Sequence, residues 1–157
     1  MRKVFRDIHG NRVDEIDYSL KVLREKKGCT VYVGSDSQKK RKTIEYATVI
    51  AYRYGHKGCH IIYSKEAVRR KGYGRGDALI QKRLLKEIED SVETAERLTN
   101  NSIKVEQIDF DLNGNPKWKS NKLVQMAVGW ASSLGYKVSI KPDVQVASKA
   151  ANHIVNE

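Results

Sequence analysis

Between Thr30 and Tyr63 the chain carries three runs rich in β-branched and aromatic residues, joined by connections too short to hold a helix. They cover about 30–36, 43–54 and 58–64, and Tyr54-Gly55-His56-Lys57-Gly58 has the glycines of a hairpin turn. Short links make neighbouring strands antiparallel, so a three-stranded meander is expected. The pattern then changes to helices alternating with strands, which is the signature of crossover connections.

The spacing of Ile80, Leu84, Ile88, Ser91, Ala95 and Leu98 predicts a long helix from about Asp77 to Leu98. A strand over 103–112 follows, then a polar loop to Lys119. Ser120 is placed to cap a helix carrying Leu123, Met126, Ala127, Trp130 and Leu134, stopped by Gly135. A short strand over 136–140 and a final helix ending near Val155 complete the chain. At the other end, Asn11 is the expected cap of a first helix with Val13, Ile16, Leu20 and Leu23 on one side and Gly28 as its stop. The predicted order is therefore α-βββ-α-β-α-β-α, a mixed α/β fold with a five-stranded mixed sheet and helices on both faces. Residues 1–157 read as one domain, with 1–28 as an N-terminal helical extension.

Thirty Lys and Arg against nineteen Asp and Glu give a net charge of +11, which points to a polyanionic partner, nucleic acid before membrane surface. No stretch approaches the ~20 apolar residues of a membrane span. Cys29 and Cys59 provide neither a disulfide framework nor metal-ligand spacing, as expected of a cytoplasmic, reducing setting.

Against this charge, acids at strand ends need a reason. Asp36 ends the first predicted strand, Thr30-Val31-Tyr32-Val33-Gly34-Ser35-Asp36, and Asp109 and Asp111 end the fourth. Clustered carboxylates repel unless a positive group lies between them, and a divalent metal is the usual one. If the first and fourth strands are neighbours, Asp36 and Asp111 approach across a gap of ~4.8 Å. Such carboxylates can hold two divalent ions ~4 Å apart for phosphodiester hydrolysis. All-oxygen ligands suit Mg²⁺ or Mn²⁺. Glu87 flanks the apolar stripe of the long helix and is the helix acid best placed to join them, ahead of Glu89, though it equally suits a boundary glutamate pairing with Arg83 or Lys86; Glu93 should face solvent. The last helix offers Asp143 at its start, which equally suits a helix cap, and Asn152 and His153 within it.

Lys39-Lys40-Arg41-Lys42 follows Asp36, and Arg69-Arg70-Lys71 with Arg75 precedes the long helix. These cations, with Lys117, Lys119 and Lys141, are candidate phosphate contacts. Tyr73 and Trp118, set among Gly and Lys, are candidates for stacking on unpaired bases. Each run also reads as an ordinary solvated loop.

The run Asp111-Leu112-Asn113-Gly114-Asn115-Pro116-Lys117-Trp118-Lys119-Ser120-Asn121, with Gly129-Trp130, Gly135, Lys141-Pro142-Asp143 and Val33-Gly34-Ser35-Asp36-Ser37-Gln38, resembles the YkuK-like family of ribonuclease H-related nucleases. The resemblance extends from about Val31 to Asn152. It implies a ribonuclease H-like fold and a two-metal phosphodiesterase site carried on Asp36, Glu87, Asp111 and Asp143, with Asp109 and Asn152 as possible additions. One departure stands out: this chain has Ala151-Asn152 where the family's last helix is associated with an Ala-Asp pair. Two functions follow for test: a Mg²⁺- or Mn²⁺-dependent nuclease acting on DNA, RNA or a hybrid, and a noncatalytic nucleic-acid-binding domain with a degraded metal site.

Overall fold

A computed structural model describes residues 2–55, 58–113, 121–141 and 147–156. The elements are β1 (Phe5–Arg6), β2 (Arg12–Val13), α1 (Glu15–Glu25), β3 (Cys29–Lys39), β4 (Thr43–Tyr54), β5 (Cys59–Arg69), α2 (Asp77–Asn100), β6 (Val105–Asn113), α3 (Asn121–Ser133), β7 (Lys137–Lys141) and α4 (Ala147–Val155). They form one mixed sheet in the order β2-β1-β5-β4-β3-β6-β7. The expected meander is β3-β4-β5, antiparallel throughout, while β6 and β7 add in parallel on the other side of β3.

The sheet has seven strands, not five. The two extra strands are the β1–β2 hairpin, which joins the meander through Arg6 and Tyr63. Two-residue strands carry no readable alternation, so the segment was expected to be helix alone. Its turn is closed by Asp7, whose side chain accepts from the amides of His9 and Asn11, both at 2.9 Å. Asn11 therefore belongs to the hairpin, and the cap of α1 is Asp14, accepting from Ile16 and Asp17 at 3.0 Å.

Alternation along β3 and β4 sorts the core into two layers. Val31, Val33, Ile50 and Ile62 pack under α1, α2 and α3 with Ile88, Val92, Ala95 and Leu98. On the other face, Ala47, Val49 and Ala51 meet Ala147, Ala151, Ile154 and Val155 of α4. Alanines on both sides let α4 lie close to the sheet, which brings polar groups of α4 within reach of β3 and β6. Ile88 is fully buried, and its truncation to alanine costs about 2–5 kcal/mol. No helix among the described residues is long and apolar enough to cross a membrane.

Candidate metal centre and basic end

The parallel register of β3 and β6 pairs Val33 with Ile108 and Gly34 with Asp109. Asp36 and Asp111 each lie two residues beyond that last pair, so the expected neighbouring of their strands is met. Asp36 is not at a strand end, however: β3 runs on to Lys39, because β4 continues pairing through Lys39 and Ile44. Cross-strand hydrogen bonding outweighs the charge of this segment.

Asp36 is buried, facing α4. Its Oδ1 accepts from the amide of Ser37 at 2.8 Å and its Oδ2 from Nδ2 of Asn152 at 2.8 Å. Ser37 points to the opposite face, toward α2, where its hydroxyl donates to Oε2 of the buried Glu87 at 2.7 Å. The two carboxylates thus each lie one hydrogen bond from a single residue. Glu93 is exposed, as expected, and so are Glu89 and His153.

Helix and strand geometry explains why Glu87 arrives here. α2 runs antiparallel to β3, and four helix residues advance about 6 Å while two strand residues advance about 6.6 Å. Contacts therefore repeat in step. Ser91 Oγ donates to Ser35 Oγ at 2.9 Å, Glu87 meets Ser37, and Arg83 donates from Nε to Ser37 Oγ at 3.1 Å and from Nη2 to its carbonyl at 3.0 Å. Towards the other end of β3 the same interface becomes apolar, with Val33, Val31, Ala95 and Leu98. Sequence reasoning missed Ser37 and read Arg83 only as an ion-pair partner for Glu87; the signal available was a hydroxyl residue directly following the acid.

Asp109 is completely buried. Its Oδ1 accepts from Gln107 Nε2 at 2.8 Å and its Oδ2 from the amide of Ala147 at 2.9 Å. A carboxylate on the first amide of α4 is favoured by the helix dipole and fixes that helix to β6. Asp109 therefore lies inside the sheet, paired with Gly34 on one side and Ser139 on the other.

Asp143, Lys117, Trp118 and Lys119 lie outside the described residues, and Asp111 and Lys141 are placed by strand position only. Among the described residues no group of three or more His, Cys, Asp and Glu has a metal-binding arrangement. The donor chemistry nonetheless fits a hard divalent cation. Asp36, Glu87 and Asp109 are buried oxygen donors of the kind that such a cation takes.

The basic runs come together. The amide of Arg70 donates to the Lys42 carbonyl at 3.1 Å, and its Nη1 donates to the carbonyls of Lys40 at 3.0 Å and Arg41 at 3.1 Å. Arg70 is thereby a brace on the β3–β4 turn, while Lys39, Arg41, Lys42, Arg69, Lys71 and Arg75 are exposed around it. Tyr73 is not available for stacking on bases. It is only 8% exposed, its hydroxyl lies 3.0 Å from that of Tyr46, and Lys82 Nζ covers its ring at 4.6 Å from the centroid. Burial, with the Tyr73 hydrogen bond, pushes the Tyr46 hydroxyl far above the ordinary tyrosine range. The ring of Tyr73 anchors the glycine-rich segment from inside, a role its Gly and Arg neighbours conceal.

A sequence profile described as Ribonuclease H-like matches residues 13–156. No curated protein matches the sequence.

Proposed function

Since the chain belongs to the ribonuclease H-like family, we propose that it is a divalent-metal-dependent nuclease hydrolysing phosphodiester bonds. The family supports a nuclease-type or nucleic-acid-related role, and the metal dependence is our own reading. The observation that carries it is a buried acid on each face of β3, Asp36 and Glu87, both hydrogen-bonded to Ser37 beside an exposed basic end. Asp36, Glu87, Asp111 and Asp143 would hold Mg²⁺ or Mn²⁺, two ions if the set is complete. When bound, such ions activate the attacking water and stabilise the leaving oxygen. The protein's own contribution is to orient carboxylates with fixed donors and to bind the backbone through Lys39, Lys40, Arg41, Lys42, Arg69 and Arg75. Kinship with the narrower YkuK-like nucleases is part of the same proposal.

The Asn152 amide on Asp36 favours a second reading, a nucleic-acid-binding domain without catalysis. A neutral donor stands where a further carboxylate would strengthen metal binding. Labelled single strands, duplexes, hybrids and four-way junctions incubated with Mg²⁺ or Mn²⁺ separate the two. The nuclease reading expects metal-dependent cleavage that Asp36→Asn lowers at least a hundredfold. Tight binding by the wild type without cleavage of any substrate would establish the second reading in its place.

A further inference from the structure

We infer that Arg83 is a positioning residue, which clamps Ser37 and through it fixes the direction of two carboxylates, Asp36 on the α4 face of β3 and Glu87 on the α2 face. The inference rests on the reading of those two acids as metal ligands. Its basis is the direction of each hydrogen bond. Nε of Arg83 can only donate, so the Ser37 hydroxyl oxygen must accept from it at 3.1 Å. The hydroxyl proton is then left for Glu87 Oε2, 2.7 Å away. Nη2 meanwhile holds the Ser37 carbonyl at 3.0 Å, fixing the peptide orientation beside the amide that donates to Asp36 Oδ1.

A planar guanidinium with two forked donors suits this two-point grip, whereas a lysine ammonium cannot reproduce it. Ser37 and Glu87 are both buried and Arg83 is half-buried, so water competes weakly for these bonds. The Ser35–Ser91 hydroxyl contact one step along β3 holds the same stretch of α2 in register. Fixing ligands before the ion arrives reduces the ordering cost of binding.

The test uses the full chain and Mn²⁺ alone, with free Mn²⁺ followed by electron paramagnetic resonance. Arg83→Met and Ser37→Ala are expected to weaken Mn²⁺ binding about tenfold, the scale on which groups orienting metal ligands act. Ser37→Thr, which keeps the hydroxyl, should restore it, and affinities are compared where urea curves show every variant fully folded. A second, metal-free measurement is hydrogen exchange at the Ser37 amide, expected to quicken about tenfold in Arg83→Met as its bond to Asp36 loosens. Unchanged Mn²⁺ affinity together with unchanged exchange in Arg83→Met would overturn the positioning role. So would Ser37→Thr binding as weakly as Ser37→Ala, since the hydroxyl would then be irrelevant. A wild-type chain that takes up no Mn²⁺ removes the metal-ligand reading instead, and the exchange rate alone then decides whether Arg83 clamps Ser37.

Discussion

Glu15 and Asp90 are buried as deeply as Asp36 and Glu87, but the two pairs are held by different neighbours. Glu15 lies 3.0 Å from both Arg2 and Arg97, and Asp90 lies 3.0 Å from Lys3 and 3.3 Å from Lys86. Asp36 and Glu87 accept from an amide N–H, a side-chain amide and a hydroxyl. Cations on the first pair offset its charge within the fold and tie the N-terminal segment to α2. Neutral donors on the second pair orient the carboxylates. Burial alone does not tell the two pairs apart.

Urea unfolding tests this contrast most directly. Glu15→Ala and Asp90→Ala should each lose about 2–3 kcal/mol, because each breaks charged hydrogen bonds in a buried setting. Asp36→Asn should change stability by less than about 1 kcal/mol, since the isosteric amide can accept from Ser37 and donate to a turned Asn152 amide. Similar losses for Asp36→Asn and Asp90→Ala would erase the distinction.

The next effect is smaller. Asp14 caps α1 beside the Arg2–Glu15 contact, and Asp14→Ala should cost about 1 kcal/mol by the same measurement.

The pH dependence of the ion-paired cluster has a definite sign. Burial, the largest influence on Lys86, lowers its pKa, but Asp90 and Glu66 outweigh it and leave it above the ordinary lysine value. A raised lysine contributes stability below the unfolded value of about 10.4, and that stability is lost as pH rises through the folded value. The wild-type urea midpoint should therefore fall more steeply than that of Lys86→Met in the alkaline range above about pH 10. Parallel pH curves for the two proteins would argue that Lys86 contributes no ionic stabilisation.

The smallest effect concerns His60, stacked against Tyr52 with centroids 5.0 Å apart. Burial first, and Lys26 second, lower its pKa. Its contribution is present above about pH 6.5, the unfolded value, and disappears as pH falls through the folded one. A histidine proton shift followed by nuclear magnetic resonance should titrate below that ordinary value.

The strand–helix order and the neighbouring of β3 and β6 were legible because hydrophobic periodicity and connection length carry them. The inward position of Glu87 was legible for the same reason, since it lies beside the stripe of Ile88 and Leu84. Other features left no local trace. The β1–β2 hairpin is too short for a period, and the continuation of β3 past Asp36 depends on hydrogen bonds from β4 that its own basic residues do not advertise. Tyr73 looked exposed among glycines and arginines, yet its pocket is built by Ile44, Tyr46 and Leu79 from two other elements. The hold of Ser37 on two acids follows from α2 and β3 advancing in step, which only the packed pair reveals.

The extension of the meander has a bearing on self-association. β5 meets β1 at Tyr63 alone and then runs on to Arg69, so among the described residues its outer edge over that stretch is unpaired. An open strand edge is a template for a second copy of the same chain. Here it carries Lys65, Glu66 and Arg69, all exposed, and the charged Arg70 and Lys71 directly after them. Two such edges brought together would have to desolvate these ions and crowd like charges. The basic end that suits a polyanion thus also protects the sheet from growing by addition of its own kind.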